Sequence, residues 1–480
     1  MTMDRRTVLK SGSAAALLGG PFAGFAAMPA QAQEKARALS DATLVPIPDE
    51  RDGVVRLHLP EGFKYRSFHD TSQEVVLDDG TKLPGRHDGM GAFRGDNGSV
   101  LLVRNHEVNN PVGAFGPLKP YDASAGGGTT TIRVTKHGEV LGAWTSLNGT
   151  MMNCSGGIMP WGSWITCEET VNGPDVGPDF TGAPNTSLEK PHGYIFEVPV
   201  DGNASGKPIT RAGRFAHEAV SFDAVGGALY LTEDNFAFAS GFYRYTPKHN
   251  PMKTGRLDDE GVLEMLAIKG RPNLHLEGAQ QQGVTYDVEW VAIDEPDPKF
   301  QYKRGEEAPT TNDEAIVYVG NQGRAKGAAY FSRLEGQVYD DGVVYFTSTQ
   351  GGGAAEDGTH DPSGYGNGFG QVWGYDTRNQ TLTCVYQSPD KETLDFPDNV
   401  TVSKDGTLVL CEDSSGDNYL RGLTPDGKLW DIGLNRMEGR YGDEFAGSTF
   451  STDGHTLFVN IQASRGLTFA IWGPWSSIGV

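Results

Sequence analysis

The sequence predicts an all-β chain folded as a six-bladed β-propeller with loop and helical insertions. The first observation is composition: 65 of 480 residues are Gly and 27 are Pro, which favours short strands joined by tight turns. The second is that long helical periodicity is absent, whereas short apolar runs recur along the chain. The third is that 37% of the residues are hydrophobic, which is enough for a core and excludes a disordered protein. A β-propeller accounts for these observations, because sheets repeated around one axis leave only short, protected strand edges.

Six short apolar runs end in polar or acidic residues, and we predict that they are equivalent strands of the six blades. They are LLVRNHE (101–107), WITCEE (164–169), LYLTEDN (229–235), VYFTSTQ (344–350), LVLCEDS (408–414) and LFVNIQ (457–462). Turns that contain Gly precede most of them, as in hairpins. Further strands are predicted at 193–202, 241–247, 371–377 and 419–427. Seven blades are the alternative, if IVYVGN (316–321) begins another.

The first 32 residues predict a cleaved twin-arginine signal peptide. Arg5 and Arg6 precede a mild apolar stretch, and Ala30-Gln31-Ala32 fits the small-residue rule for cleavage. An ordinary secretory signal is the alternative, and the short, interrupted apolar stretch argues against a stable membrane anchor. Residues 33–480 are predicted as one propeller domain with an insertion at about 250–313. We expect a periplasmic or extracellular monomer exported by the twin-arginine machinery.

The charge balance narrows the possible partners. The chain has 40 Lys and Arg against 62 Asp and Glu, a net charge of -22. A polyanion would be repelled, so we expect no nucleic acid partner. A small anionic substrate requires bound cations that reverse the local field.

Carboxylates recur at the ends of the predicted strands and indicate a metal site. Equivalent strand ends of a propeller surround one central channel, where unneutralised carboxylates would repel one another and raise each other's pKa. Hard oxygen ligands of this kind suit calcium. Because side chains alternate along an extended strand, one acid of the pair Glu168/Glu169 and one of the pair Glu412/Asp413 should face away from the channel. The acids are Glu107, Glu168, Glu169, Glu233, Asp234, Glu412 and Asp413.

Seven motifs, in order along the chain, resemble those of the PhoX-type alkaline phosphatase family. They are VRNHE (103–107), NCSGGIMPWGSWITCEE (153–169), AHEAV (216–220), TEDN (232–235), RLEG (333–336), FPDN (396–399) and EFAG (444–447). The resemblance implies a six-bladed propeller that hydrolyses phosphate monoesters with ferric iron and calcium. It also implies that Arg333 is a catalytic residue that holds the substrate phosphate, and that Cys154, Glu169, Glu233 and Glu335 are metal ligands.

Other residues of the matching motifs have less defined roles. The expected additional metal ligands are Glu107, Glu168, Glu218, Asp398 and Glu412. Asn105, Asn399 and His217 are expected to orient ligands or substrate. Met159 departs from the family pattern, in which a small polar residue is expected, and this departure leaves the substrate preference open.

We therefore expect an exported, metal-dependent alkaline phosphatase that acts on small phosphate monoesters. One alternative is another hydrolase on a calcium propeller, such as a lactonase or a phosphodiesterase. The other is a calcium-binding propeller without catalytic activity. The sequence contains no G-x-S-x-G or H-E-x-x-H motif, which argues against serine hydrolases and zinc proteases.

Overall fold

A computed structural model describes residues 43–202, 204–356 and 364–480, so the predicted signal peptide at 1–32 lies outside the described residues. Almost all regular structure in these ranges is antiparallel strand, and the all-β prediction is confirmed. Three short α-helices accompany the strands in the described ranges: α1 (Pro251–Thr254), α2 (Asn312–Ile316) and α3 (Tyr318–Arg324). No helix in the described part of the chain combines the length and apolar character needed to cross a membrane.

The strands form six successive groups. Three N-terminal strands join groups built by the C-terminal part of the chain: β1 (Leu44–Pro48), β2 (Val55–Pro60) and β3 (Lys64–Phe68). Group 1 contains β4 (His87–Arg94), β5 (Val100–His106), β6 (Gly127–Val134) and β7 (Val140–Thr150). Group 2 contains β8 (Asn153–Met159), β9 (Ser163–Glu168) and β10 (Ile195–Pro199). Group 3 contains β11 (His217–Asp223), β12 (Ala228–Glu233), β13 (Phe242–Pro247) and β14 (Gly261–Ile268).

The second half of the chain repeats this arrangement. After β15 (Thr285–Ala292), group 4 contains β16 (Leu334–Asp340), β17 (Val343–Ser348), β18 (Gln371–Asp376) and β19 (Thr381–Gln387). Group 5 contains β20 (Pro397–Val402), β21 (Leu408–Glu412), β22 (Tyr419–Leu423) and β23 (Leu429–Asn435), and β2 and β1 extend it. Group 6 contains β24 (Glu444–Phe450), β25 (Thr456–Gln462) and β26 (Leu467–Trp472), and β3 completes it. β15 pairs with both β14 and β19 and joins groups 3 and 4 into one sheet.

The first strand of each group lies on the inside of the fold. These inner strands contact one another in the cyclic order β4, β8, β11, β16, β20 and β24, and β24 returns to β4. Apolar side chains of adjacent groups pack between the sheets, for example Val409 of group 5 with Phe469 of group 6. The fold is therefore β-propeller-like, and a closed ring of six inner strands is the arrangement that six blades require.

Two details differ from the sequence prediction. The seventh-blade alternative is wrong, because residues 316–321 are helical and Thr311 with Glu314 forms a capping box at the start of α2. The region predicted as an insertion at about 250–313 includes β14, the outer strand of group 3, and β15. The six predicted strands all exist, but each is the second strand of its group and not the inner one.

Candidate metal centre

Every inner strand contains a β-bulge at the same place. In group 1, His87 and Met90 of the inner strand pair with His106 and Arg104 of the second strand. The inner strand therefore spans three residues where the second strand spans two. The other five inner strands repeat this register shift. A bulge inserts one residue and redirects a side chain. The first residues of the six bulges, called here the ring residues, are Asp88, Cys154, Glu218, Glu335, Asp398 and Gly447.

Small residues follow five of the six ring residues, and the packing of the inner strands explains why. A Cβ added at Gly89 would lie 2.5 Å from the Cα of Ser155, and one added at Gly336 would lie 2.6 Å from the Cα of Asn399. Both distances are too short for a side chain, so the bulges of adjacent groups meet backbone to backbone. This close approach brings the ring residues together.

Cys154 forms the first donor group of the ring. Its Sγ lies 3.1 Å from Oε2 of Glu169 and 2.6 Å from Oε2 of Glu218. Ligand atoms of the three residues all lie within 4.8 Å of one another. Burial raises the pKa of the Cys154 thiol well above its usual value, and Glu169 and Glu218 raise it further. Without a cation the thiol therefore keeps its proton.

A second donor group consists of carboxylates alone. Ligand atoms of Glu218, Glu335 and Asp398 also lie within 4.8 Å of one another, so Glu218 belongs to both groups. Burial and the neighbouring Asp398 raise the pKa of Glu218 well above its usual range. Burial, followed by the charge of Asp413, raises the pKa of Asp398 to about 7. The acids of the ring thus repel one another in the absence of cations.

Asp88 and Glu107 belong to the same acidic cluster. Burial raises the pKa of Asp88 well above its usual range, and Glu107 and Asp398 raise it further. Glu107 is fully buried and pairs with Arg86. The Oε1 atom of Glu107 has no hydrogen-bond partner among the described residues. A buried carboxylate oxygen in this position is a further donor for a cation.

Arg333 lies directly against the ring. Its Nε and Nη2 donate to the two carboxylate oxygens of Asp234 at 3.2 and 3.1 Å, and Nη2 donates to Oε1 of Glu335 at 2.6 Å. Only 5% of its side chain is exposed. The structure thus places the residue predicted to hold phosphate beside the acidic cluster.

Three predicted ligands lie elsewhere. Glu168 accepts hydrogen bonds from the backbone N–H groups of Met151, Gly193 and Tyr194. Glu233 accepts from the N–H of Gly241 and from Tyr243, and Glu412 accepts from the N–H groups of Asp395 and Tyr419 and from Arg421. These three carboxylates anchor nearby loops, because alternation along the strand turns them away from their neighbours Glu169, Asp234 and Asp413. None of the three belongs to the two donor groups of the ring, although Oε1 of Glu233 has no hydrogen-bond partner among the described residues.

The two asparagines hold the bulges in place. Nδ2 of Asn105 donates to the carbonyl oxygens of Cys154 and Ser155 at 3.0 and 2.7 Å. Nδ2 of Asn399 donates to Oδ1 of Asp398 at 2.8 Å. In the described structure both therefore position ring residues.

His217 and Met159 pack in the protein interior. Nε2 of His217 lies 3.0 Å from the carbonyl oxygen of Gly213, its ring stacks on Phe215, and burial lowers its pKa to about 3. Met159 packs in an apolar cluster that includes Ile165. Neither residue belongs to the two donor groups of the ring.

Asp88 and the role of the inner strands were missed by the sequence analysis. The spacing of the acids could have indicated the inner strands. In three groups the ring residue stands 15 or 16 positions before an acid at the end of the second strand, as in Cys154/Glu169, Glu218/Asp234 and Asp398/Asp413. A small residue follows the ring residue in the first two pairs, and Asn399 follows it in the third.

Comparisons with known proteins bear on the fold and the family of the chain. A sequence profile of the family described as alkaline phosphatase PhoX matches residues 43–145 and 127–464. A solved structure of PhoX from Pseudomonas fluorescens, in complex with the transition-state analogue vanadate, has a TM-score of 0.63 and 18% identity, and the match covers 91% of this chain and 98% of that one.

Two other solved structures match more weakly. A gluconolactonase from Xanthomonas campestris has a TM-score of 0.39 and 12% identity, with 90% of this chain and 99% of that one covered. A virginiamycin B lyase from Staphylococcus aureus has a TM-score of 0.36 and 12% identity, with 85% and 99% covered. No curated protein sequence matches. The family profile spans most of the described residues, and the chain therefore belongs to the PhoX alkaline phosphatase family.

Proposed function

We propose that this chain is an exported, metal-dependent phosphomonoesterase whose reaction occurs at the ring residues. The observation that carries the proposal is the pair of donor groups that share Glu218. Charges buried this close together are stable only when they are protonated or when cations balance them. A cluster of cations would also reverse the field that a net charge of -22 presents to a phosphate ester.

The donors fit ferric iron and calcium. A thiolate is a soft ligand that suits iron better than calcium, whereas a group made only of carboxylates suits calcium. We therefore assign iron to the group around Cys154 and calcium to the group of Glu218, Glu335 and Asp398. When bound, these ions would supply the electrostatic stabilisation of charge on the transferring phosphoryl group.

Arg333 would bind the phosphate of the substrate. Its guanidinium is already oriented by Asp234 and Glu335, so little side-chain freedom is lost when a ligand binds. The planar fork of donors matches phosphate oxygens, and the guanidinium keeps its charge at alkaline pH. Arg333 would thus orient the ester toward the ring.

Metal analysis followed by an activity assay tests the proposal. We expect iron and calcium in the purified protein, and hydrolysis of p-nitrophenyl phosphate that a chelator abolishes. Arg333→Ala should lower the activity strongly while the metal content stays that of the wild type. Arg378→Ala is the matched control, because Arg378 is exposed and pairs with exposed Asp341 in the turn between β16 and β17. Calcium without iron and without turnover would favour the non-catalytic propeller.

We also propose export by the twin-arginine machinery, on the basis of residues 1–32. Replacement of both Arg5 and Arg6 by Lys should keep the protein in the cytoplasm, because the receptor reads the arginine pair. Fractionation of cells that express the wild type and the double variant measures this. Equal export of the two proteins would instead favour the ordinary secretory signal.

A further inference from the structure

Arg86 occupies in group 1 the position that Arg333 occupies in group 4. Each arginine immediately precedes an inner strand and stands two residues before a ring residue, Asp88 and Glu335 respectively. Each has a left-handed backbone, with φ of 49° at Arg86 and 36° at Arg333, a conformation that is uncommon for residues other than Gly. β4 and β16 are three steps apart in either direction around the ring of inner strands. The two arginines therefore stand at the starts of two inner strands that lie on opposite sides of the ring.

Each arginine also forms an ion pair with an acid at the end of a second strand. Nε of Arg86 donates to the carbonyl oxygen of Glu107 at 2.6 Å, and its Nη2 donates to Oε2 of the same residue. Arg333 instead donates from Nε and Nη2 to the two carboxylate oxygens of Asp234. Glu107 and Asp234 each follow the last residue of a second strand, β5 and β12. An ion pair with the acid at this position thus holds a guanidinium at the acidic cluster on both sides of the ring.

The exposure of the two side chains differs. The side chain of Arg86 is 29% exposed, whereas that of Arg333 is 5% exposed. A phosphate held beside Arg333, as proposed above, would lie in the buried part of the cluster, and the rest of the substrate would extend toward solvent. A partly exposed guanidinium is suited to meet that part of the substrate.

We propose that Arg86 binds a second anionic group of the substrate, so that the enzyme prefers phosphate monoesters whose leaving group is itself anionic, such as sugar bisphosphates. The inference rests on the proposed phosphatase function. A guanidinium suits a second phosphate for the same reason that it suits the first: a planar fork and a constant charge. In a chain of net charge -22, a doubly anionic ester gains more from such a cation than a singly phosphorylated one does.

A matched pair of substrates tests the role of Arg86. The values of kcat/KM are measured for glucose 6-phosphate and glucose 1,6-bisphosphate with wild type, Arg86→Gln, Arg86→Lys and the control Arg378→Gln. Loss of a charge-assisted contact should lower kcat/KM for the bisphosphate at least about tenfold more than for the monophosphate. The loss should appear mainly in KM, and Arg86→Lys should restore part of it because Lys keeps the charge. Arg378→Gln should leave the ratio of the two substrates unchanged.

Two further readouts separate the outcomes. Metal content shows whether the variant still holds the cluster, and the inhibition constants of inorganic phosphate and pyrophosphate show whether the second anionic group is recognised. An equal loss for both substrates, with an unchanged ratio of the inhibition constants, would overturn the inference and leave Arg86 as a brace for Glu107. If the metal-loaded wild type hydrolyses neither ester, the proposed phosphatase function fails, and this inference fails with it.

Discussion

Replacement of Glu218 by Gln should stabilise the metal-free protein and destabilise the metal-loaded one. Glu218 belongs to both donor groups, so its carboxylate faces Glu169, Glu335 and Asp398. Gln has nearly the same shape, removes one negative charge and adds an amide that can donate to the remaining carboxylates. In the absence of metal the variant loses repulsion, and in the presence of metal it loses a ligand.

The separation of the ligand atoms sets the expected size of the effect. The ligand atoms of each donor group lie within 4.8 Å of one another, and two unit charges at that limit interact by about 3.5 kcal/mol at an effective dielectric constant of about 20. Relief of one such repulsion should therefore raise the free energy of unfolding of the metal-free variant by about 3 kcal/mol where both carboxylates are ionised. The raised pKa of Asp398, about 7, lies above its value in the unfolded chain. The wild type therefore loses stability as the pH rises through this range, and the advantage of the variant should grow.

Urea unfolding at pH 5 and pH 9, with chelator and with iron plus calcium, measures the effect. We expect Glu218→Gln to exceed the wild type in stability in chelator at pH 9, to approach it at pH 5, and to fall below it when metals are present. Glu412→Gln is the control. Both carboxylate oxygens of Glu412 accept hydrogen bonds from loop N–H groups or from Arg421, so the amide should destabilise the protein in every condition.

The sign of the stability change of Glu218→Gln in chelator tests whether the acids of the ring repel one another. If Glu218→Gln is less stable than the wild type in chelator at pH 9, the repulsion inferred from the geometry does not exist. If metals stabilise both proteins equally, Glu218 is not a ligand.

Three more predictions follow from single positions. Gly336→Ala should destabilise the protein by about 1–3 kcal/mol, since its Cβ would meet the backbone of β20, whereas Gly416→Ala should have little effect in the same thermal unfolding experiment. Burial lowers the pKa of His192, but Glu168 and Asp122 raise it more, to about 9. The stability that this ion pair contributes should therefore fall by up to about 3 kcal/mol between pH 6.5 and 9. Urea unfolding of His192→Gln should show a free energy of unfolding that depends less on pH than that of the wild type. Because the pKa of the Cys154 thiol is raised, metal binding should release a proton there, and calorimetry in buffers of different ionisation enthalpy should find fewer protons released by Cys154→Ser.

The repeated strands could be predicted because they depend on local sequence. Gly-containing turns and short apolar runs mark the second strand of each group, and all six were found. The alternation of side chains also predicted that one acid of each pair turns away, but not which one; the structure shows that it is Glu168 and Glu412, both of which were expected to be ligands. The inner strands were missed because HDGMGAF (87–93) and NCSGGIM (153–159) contain few large apolar residues. Their small residues are needed for contact with adjacent groups, which no local pattern reveals.

The sequence by itself determined the fold class, the family resemblance and the presence of the acidic residues and of Arg333. Only the tertiary structure decided which acids meet. Glu169 reaches Cys154, whereas the preceding residue, Glu168, anchors a loop. Adjacent residues point in opposite directions on a strand, and the bulges that aim the ring residues arise from pairing between strands. Convergence of the side chains depends on closure of the ring of inner strands, a contact between distant parts of the chain.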